Sequence, residues 1–217
     1  MKVLLTGATG FLGREVLRQA LDDKAIDHVT TLVRRPTGLA HPKVKEVQVT
    51  DFLDYSALDM HAYDACIWSL GMSQLQATEA EYIRTTLDYT MAAARALLGA
   101  NPQARFCFVS GRGADPEEKK TALYARIKGR TERQLEALGS NVFVFRPGYI
   151  KPTKRSGPRK DLARWFAPIG SVMSMFGKDF SVDCDQLAGC LLDVAKRGAS
   201  RRLLVNSDIR GWEAAAS

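Results

Sequence analysis

The first strand-like run of the chain ends in TGATGFLG, Thr6 to Gly13, a GxxGxxG pattern that leads into a segment of helical periodicity. In that context the first glycine permits a tight turn and the second lets the backbone approach a pyrophosphate, while the third lets helix and strand pack closely. The helix amino terminus then faces the anion. The pattern predicts a dinucleotide site, against the plainer interpretation of an ordinary glycine-rich turn. The expected contacts are Gly7, Thr9, Gly10, Phe11, Leu12 and Gly13.

Short β-rich apolar runs alternate with helix-period segments over most of the remaining chain. This alternation predicts an α/β fold, a doubly wound and mostly parallel sheet with helices on both faces. The predicted strands are 2–6, 29–33, 44–49, 65–70, 105–110, 142–146 and 202–205, and the predicted helices are 11–21, 79–98, 116–138 and 184–196.

The alternation stops after residue 146, so residues 147–180 are expected to form a small irregular cap on one domain spanning 1–217. The apolar residues between 165 and 176 fit a pocket lining or ordinary core equally well. Nothing in the sequence chooses between a monomer and a homodimer.

Composition limits the classes of protein that the chain can belong to. Hydrophobic residues make up 46% and charged residues 25%, and no apolar run is long enough to span a bilayer, so we expect a soluble, cytoplasmic protein. Four cysteines occur without CxxC spacing, and Cys66 and Cys107 lie in predicted strands, which favours buried thiols over disulfides. The three histidines are scattered, and we expect no metal.

The net charge of +7 comes partly from a basic stretch over residues 151–160. A solvated loop is one interpretation, and attraction of anionic ligands to a nearby cleft is another. No nucleic-acid partner is expected, since a recognisable binding module is missing from the sequence. Peripheral membrane contact through residues 165–176 is a weaker possibility.

The residues at the ends of the next predicted strands indicate which dinucleotide binds. Arg34 and Arg35 follow the second strand, where a site for NAD places an acidic residue, and two guanidinium groups suit the 2′-phosphate of NADP(H). We therefore expect NADP(H) to be preferred over NAD(H). The further expected cofactor contacts are Asp51 and Phe52 after the third strand, and Leu70 and Gly71 after the fourth.

A candidate catalytic group follows the fifth predicted strand. Tyr124 and Lys128 are four residues apart, so they share a helix face, and an ammonium beside a phenol is expected to lower the pKa of that phenol. Ser110, at the strand end, is expected to hydrogen-bond the substrate oxygen. Lys128 and Tyr124 would also contact the nicotinamide ribose. The three residues predict carbonyl reduction of a small-molecule substrate, with Tyr124 donating the proton.

Together TGATGFLG, VRR, the DF pair, Ser110, YARIK and FRPGYI resemble the short-chain dehydrogenase/reductase superfamily over nearly the whole chain. VSGRGAD, YARIKGRTE and VFRPGYI are most similar to its atypical branch, which includes Tat-interacting oxidoreductase-like and NmrA-like proteins. The resemblance implies that Pro147, Gly148 and Tyr149 lie beside the nicotinamide. It also implies that Arg159 contacts the cofactor and that the loop containing it borders the substrate pocket.

Two departures from the superfamily pattern bear on function. No asparagine is evident in 79–98 to complete the usual proton relay, and the cap is too short for a sugar-nucleotide domain. An NADP(H)-dependent oxidoreductase is the leading hypothesis. The alternative is an NADP(H)-responsive regulatory or interaction protein without robust turnover.

Overall fold

The computed structural model describes residues 1–72, 74, 77–154 and 180–213. The predicted strands 2–6 and 142–146 have the expected bounds, and the other predicted strands differ from the observed ones by one or two residues at an end. The strands are β1 (Lys2–Thr6), β2 (His28–Val33), β3 (Val44–Gln48), β4 (Ala65–Trp68), β5 (Arg105–Val109), β6 (Val142–Arg146), β7 (Tyr149–Lys151), β8 (Ser181–Asp183) and β9 (Leu203–Val205).

Seven of these strands form one sheet in the order β3-β2-β1-β4-β5-β6-β9, and every neighbouring pair is parallel. β7 and β8 form a separate parallel pair. The strand order reverses between β1 and β4, and open parallel sheets bind ligands outside the carboxyl ends of their strands at such a point. The predicted doubly wound sheet, a Rossmann fold, is confirmed.

The helices cover both faces of the sheet. The segment predicted as one helix over 79–98 is interrupted by a π-helical turn, Arg84–Asp88, which separates two α-helices. π-Helical turns of this kind are frequent at functional sites. The helices are α1 (Phe11–Asp22), α2 (Glu79–Ile83), α3 (Tyr89–Ala100), α4 (Leu123–Glu136), α5 (Cys184–Arg197) and α6 (Asn206–Arg210).

The predicted helix start near Pro116 is wrong, because α4 begins at Leu123. The Asp115 carboxylate accepts hydrogen bonds from the backbone N–H groups of Glu117, at 3.2 Å, and Lys120, at 2.8 Å, which closes a turn instead. Glu118 has a positive φ of 59°, a conformation that a helix excludes. Its carboxylate then pairs with arginines of α4 and ties the turn to that helix.

Alternate residues along the strands face two separate cores. On β1, Leu5 packs toward α1 and α5, whereas Leu4 packs toward α3 and α4. Cys66 and Cys107 are buried in the strands as predicted, and Cys184 and Cys190 are buried on α5. None of the four forms a disulfide. The site therefore stands on a rigid sheet held from both sides.

Most of the predicted cap lies outside the described residues. These undescribed positions include Arg159 and the apolar residues Trp165, Phe166, Met173, Met175 and Phe176. No helix within 1–72, 77–154 and 180–213 is both long and apolar enough to cross a lipid bilayer. The same residues contain no cluster of three His, Cys, Asp or Glu side chains placed to hold a metal ion.

Candidate functional site

The glycine-rich turn at the end of β1 forms a backbone cradle. Gly7 has φ +69°, which favours glycine, and its carbonyl accepts from the N–H of Gly10 at 2.8 Å. A Cβ on Gly13 would lie 2.1 Å from the Gly7 oxygen, so only glycine lets α1 approach this closely. Within the described residues no side chain caps Gly10 at the start of α1. A helix amino terminus without a side-chain cap suits an anion such as a pyrophosphate.

The remaining expected contacts on this turn divide into exposed and buried residues. Thr9 and Gly10 are exposed at the turn, whereas the side chains of Phe11 and Leu12 belong to the core on the α1 side of the sheet. Phe11 and Leu12 therefore have only their backbone to offer a dinucleotide.

Thr6, which the sequence analysis did not single out, joins the ends of β1 and β4. Its Oγ1 accepts from the N–H groups of Ser69 and Leu70, each at 3.1 Å, and its carbonyl accepts from the Ser69 hydroxyl at 2.6 Å. These bonds fix the carboxyl edge at the point where the strand order reverses. Gly71 follows as an exposed residue, and a Cβ there would meet no atom of the described residues within 4 Å.

A cavity of about 700 Å³ opens beside this edge. Arg34 and Arg35 line it and are exposed, and neither guanidinium has an ion-pair partner in the described part of the chain. None of the described lining residues is acidic. The cavity is lined by Gly7, Ala8, Thr9, Leu32, Val33, Arg34, Arg35, Pro36, Thr37, Phe52 and Leu70.

Asp51 and Phe52 have different roles at this end of the cavity. Phe52 is buried edge-on against Trp68, with ring centroids 6.3 Å apart, and it forms an apolar wall. Asp51 is half exposed, and its Oδ1 accepts from the N–H of Leu53 at 3.0 Å. Since Oδ2 has no hydrogen-bond partner among the described residues, it can accept from an adenine amine.

The Tyr124 hydroxyl lies at the end of β5, against Gly111. A Cβ at Gly111 would be 1.8 Å from the phenol oxygen, so this unpredicted glycine makes room for the ring. Within the described residues the phenol oxygen has no hydrogen-bond partner. Lys128 Nζ instead donates to the Val109 carbonyl at 2.9 Å and lies 4.6 Å from the centre of the Phe108 ring. Tyr124 and Lys128 share a helix face but are not hydrogen-bonded to each other.

The expectation that Lys128 lowers the pKa of Tyr124 is wrong for this geometry. Burial raises the pKa of Tyr124 to about 12, with Tyr82 and Glu132 acting in the same direction and Arg146 opposing them. Burial also lowers the pKa of Lys128 to about 8, against the pull of Glu132. For Tyr124 the effect of burial outweighs the opposing charge of Arg146, so its phenol is a neutral hydrogen-bond donor at pH 7.

Ser110 is held by a buried carboxylate that the sequence analysis missed. Its hydroxyl donates to Oε1 of Glu132 in a short contact. Arg146, the last residue of β6, donates from Nε to both oxygens of Glu132 at 3.0 Å and from Nη2 to Oε2. One signal was available in the sequence, because Glu132 follows Tyr124 and Lys128 at a second interval of four residues on the same helix.

Pro147, Gly148 and Tyr149 follow β6 at the start of the predicted cap, and Tyr149 is the first residue of β7. The Gly148 N–H donates to Oδ1 of Asn206 at 2.7 Å, and a Cβ on Gly148 would lie 2.2 Å from the carbonyl oxygen of Phe180. Asn206 Nδ2 donates in turn to the Ser181 carbonyl at 3.2 Å. Asn206 thus joins the two chain segments that flank residues 155–179.

A family model described as NAD(P)H-binding matches residues 7–164, which include the glycine-rich turn, both arginines and the Tyr124 helix. The chain belongs to this NAD(P)H-binding family. The uncapped start of α1 and the cradle of Gly7, Gly10 and Gly13 fit a dinucleotide pyrophosphate.

Curated relatives agree with this family. Rat HTATIP2 is 28% identical over 215 residues, which cover 95% of this chain and 87% of that protein. The mitochondrial protein fmp52 of Aspergillus fumigatus is 28% identical over 207 residues, covering 86% and 83% respectively. Both proteins are similar to this chain over most of its length. Because fungal relatives are named mitochondrial, the cytoplasmic location stays a prediction.

Solved structures share the fold at low identity. A short-chain dehydrogenase/reductase from Burkholderia thailandensis matches with a TM-score of 0.69 at 18% identity, over 97% of this chain and 93% of that one. Human SDR39U1 with NADPH has a TM-score of 0.65 at 17% identity, over 94% and 73%. Bordetella bronchiseptica WbmH with NAD+ has a TM-score of 0.68 at 19% identity, over 94% and 74%. Both forms of the dinucleotide thus occur on this fold.

Proposed function

We propose that this chain is an NADP(H)-dependent oxidoreductase that reduces a carbonyl group, with Tyr124 as the proton donor. The observation that carries the proposal is the position of the Tyr124 hydroxyl against Gly111, at the sheet edge that also holds the glycine-rich turn. Bound NADPH would supply a hydride to the carbonyl carbon.

The residues that would hold NADP(H) lie along the carboxyl edge. Support for the phosphorylated cofactor comes from Arg34 and Arg35, which line the cavity without an acidic partner among the described residues. Guanidinium groups bind phosphate oxygens with two parallel hydrogen bonds, and a 2′-hydroxyl offers no charge for them to match. Asp51 would accept from the adenine amine, and the first amides of α1 would bind the pyrophosphate.

Tyr124 is suited to the reducing direction. With a pKa of about 12 it carries its proton at pH 7 and can donate a hydrogen bond to a carbonyl oxygen. A buried donor stabilises negative charge as it develops on that oxygen, and the alkoxide then takes the proton. The apolar sequence of residues 165–176 supports a small apolar or aromatic substrate.

One observation favours a second function, an NADP(H)-responsive interaction protein without robust turnover. The Lys128 ammonium donates a hydrogen bond to the Val109 carbonyl, and the Ser110 hydroxyl donates one to Glu132, so neither residue is hydrogen-bonded to Tyr124. A protein that uses the dinucleotide as a signal has no need of such bonds. Turnover, rather than binding, distinguishes the two functions.

The first experiment titrates the purified protein with NADPH and with NADH by calorimetry. Charge-assisted hydrogen bonds contribute about 1.5–3 kcal/mol each, so NADPH should bind at least about tenfold more tightly. The double variant Arg34→Asp/Arg35→Ala should lose that preference. Arg201→Asp/Arg202→Ala, an adjacent exposed pair beside β9, is the matched control and should retain it.

Equal affinity for the two dinucleotides would refute the NADP(H) preference, and no binding of either would refute the enzyme. If NADPH binds, a panel of aldehydes, ketones and quinones is screened with wild type and Tyr124→Phe. Loss of turnover with NADPH affinity retained is the expected result. Full activity in Tyr124→Phe would contradict the role of the phenol.

A further inference from the structure

Glu132 is an ionisable side chain in the interior that the proposed reaction does not use. It is 5% exposed and follows Tyr124 and Lys128 on α4 at successive intervals of four residues. Such spacing puts the three side chains along one face of a helix. A carboxylate so deeply buried is costly unless every oxygen is well bonded.

The hydrogen bonds of Glu132 determine the direction of the Ser110 hydroxyl. Arg146 can only donate, and it occupies both carboxylate oxygens. In its ion pair with Arg146 the Glu132 carboxylate can only accept, so the single hydrogen of the Ser110 hydroxyl points to it. While that bond persists, Ser110 offers a substrate only its lone pairs.

We infer that Glu132, clamped by Arg146, is a positioning residue that orients the Ser110 hydroxyl and holds a negative charge beside Lys128. This inference rests on the proposed function for its effect on turnover. It assigns the Tyr124 hydroxyl as the one donor to the substrate oxygen, in place of the donor pair that Ser110 and Tyr124 would otherwise form. It also makes the charge of Lys128 depend on a residue that touches neither substrate nor cofactor.

The surroundings of Lys128 support the inference that its charge depends on Glu132. Its ammonium packs against the Phe108 ring and bonds the Val109 carbonyl, neither of which is charged. Among the described residues, Glu132 is the one whose charge raises the pKa of Lys128. The other titratable or charged groups around the network are Tyr124 on α4, Tyr82 on α2, Arg146 on β6 and Asp115 after β5.

The test compares Glu132→Gln, Glu132→Asp and the matched control Glu136→Gln. Glu136 lies one helical turn further on, is largely exposed, and pairs with Arg202 at 3.1 Å. The first readout is the pKa of Lys128 by NMR of lysine labelled with carbon-13 at Cε, with the signal assigned from Lys128→Met. We expect a lower pKa in Glu132→Gln and values near wild type in the other two variants.

The second readout is a double-mutant cycle between Glu132→Gln and Ser110→Ala, measured on urea unfolding and on kcat. If Glu132 acts through Ser110, the effects of the two substitutions should not be additive. The fold-decrease in kcat, and in the folding equilibrium constant, should be at least about fivefold smaller in the double variant than the product of the two single fold-decreases. If Glu132→Gln does not fold, the same cycle is run with Glu132→Asp, which keeps the charge but draws it back from Ser110.

An unchanged Lys128 pKa in Glu132→Gln, or additive effects in the cycle, would overturn the inference. The NMR and unfolding measurements need neither substrate nor cofactor. The failure of the proposed function, seen as absent NADPH binding or turnover, is therefore distinguishable from the failure of this inference.

Discussion

Replacing Gly129 with alanine should destabilise the protein, although α-helix propensity alone predicts the opposite. Gly129 is buried within α4, where alanine is favoured over glycine by about 1 kcal/mol. A Cβ at Gly129, however, would lie 2.0 Å from the Asp115 carbonyl carbon and oxygen and 2.4 Å from the Pro116 nitrogen. Backbone cannot swing aside as a side-chain end can, so we take an overpacking cost of about 3 kcal/mol, the upper end of the usual range.

The expected net loss is about 2 kcal/mol, which lowers the urea midpoint by about 1 M for a slope of about 2 kcal/mol per M. Gly189, inside α5, is the matched control, since a Cβ there would meet only the flexible Gln19 Oε1, at 3.4 Å. Gly189→Ala should raise stability by about 0.5–1 kcal/mol. A Gly129→Ala midpoint at or above wild type would refute the argument that close packing of α4 on Asp115 requires glycine.

Two further predictions concern buried ionisable groups. Lys128→Met should be more stable than wild type at pH 7, and this advantage should shrink by about 2 kcal/mol as the pH rises to 10. Burial lowers the pKa of Lys128 to about 8 in the folded protein, whereas an unfolded lysine titrates at about 10.4. Above pH 8 the unfolded chain therefore binds more protons than the folded one, and wild type gains stability as the pH rises. A difference in unfolding free energy between Lys128→Met and wild type that stays constant with pH in urea unfolding would contradict this. The four cysteines are buried, and burial raises the pKa of three of their thiols, Cys66, Cys107 and Cys190. Ellman's reagent at pH 8 should therefore label none in the native protein and all four in urea, and rapid native labelling would count against the buried positions.

The sheet and the cofactor cradle could be predicted from the sequence because their signals are local. The glycine spacing fixes the turn after β1, and apolar runs bounded by polar residues set the strands. The start of α4 could not be predicted from Pro116, since the Asp115 carboxylate competes for the same backbone amides by closing a turn. The π-helical turn at Arg84–Asp88 lies within an apolar periodicity that looks uninterrupted in the sequence.

The sequence analysis named Ser110, Tyr124 and Lys128 as candidate catalytic residues, but it missed Glu132 and Arg146 and the hydrogen bonds that join them to Ser110. Ser110 follows β5, Glu132 lies on α4 and Arg146 ends β6, and the packing of those elements brings the carboxylate between the other two side chains. The pKa of Tyr124 was expected to fall because spacing puts Lys128 near it. Spacing says nothing about burial, and burial raises that pKa.

The clamp made by Asn206 has a consequence for how this protein could be re-engineered. Gly148 and Ser181 are both hydrogen-bonded to the side-chain amide of Asn206, so the chain before residue 155 and the chain after residue 179 are attached to the same side chain. The pairing of β7 with β8 joins the same two parts of the chain. Changes of sequence or length within residues 155–179 leave these anchors, the sheet and the cradle at β1 in place. Libraries confined to residues 155–179 would therefore vary the chain between two fixed attachment points while the dinucleotide half of the molecule is kept unchanged.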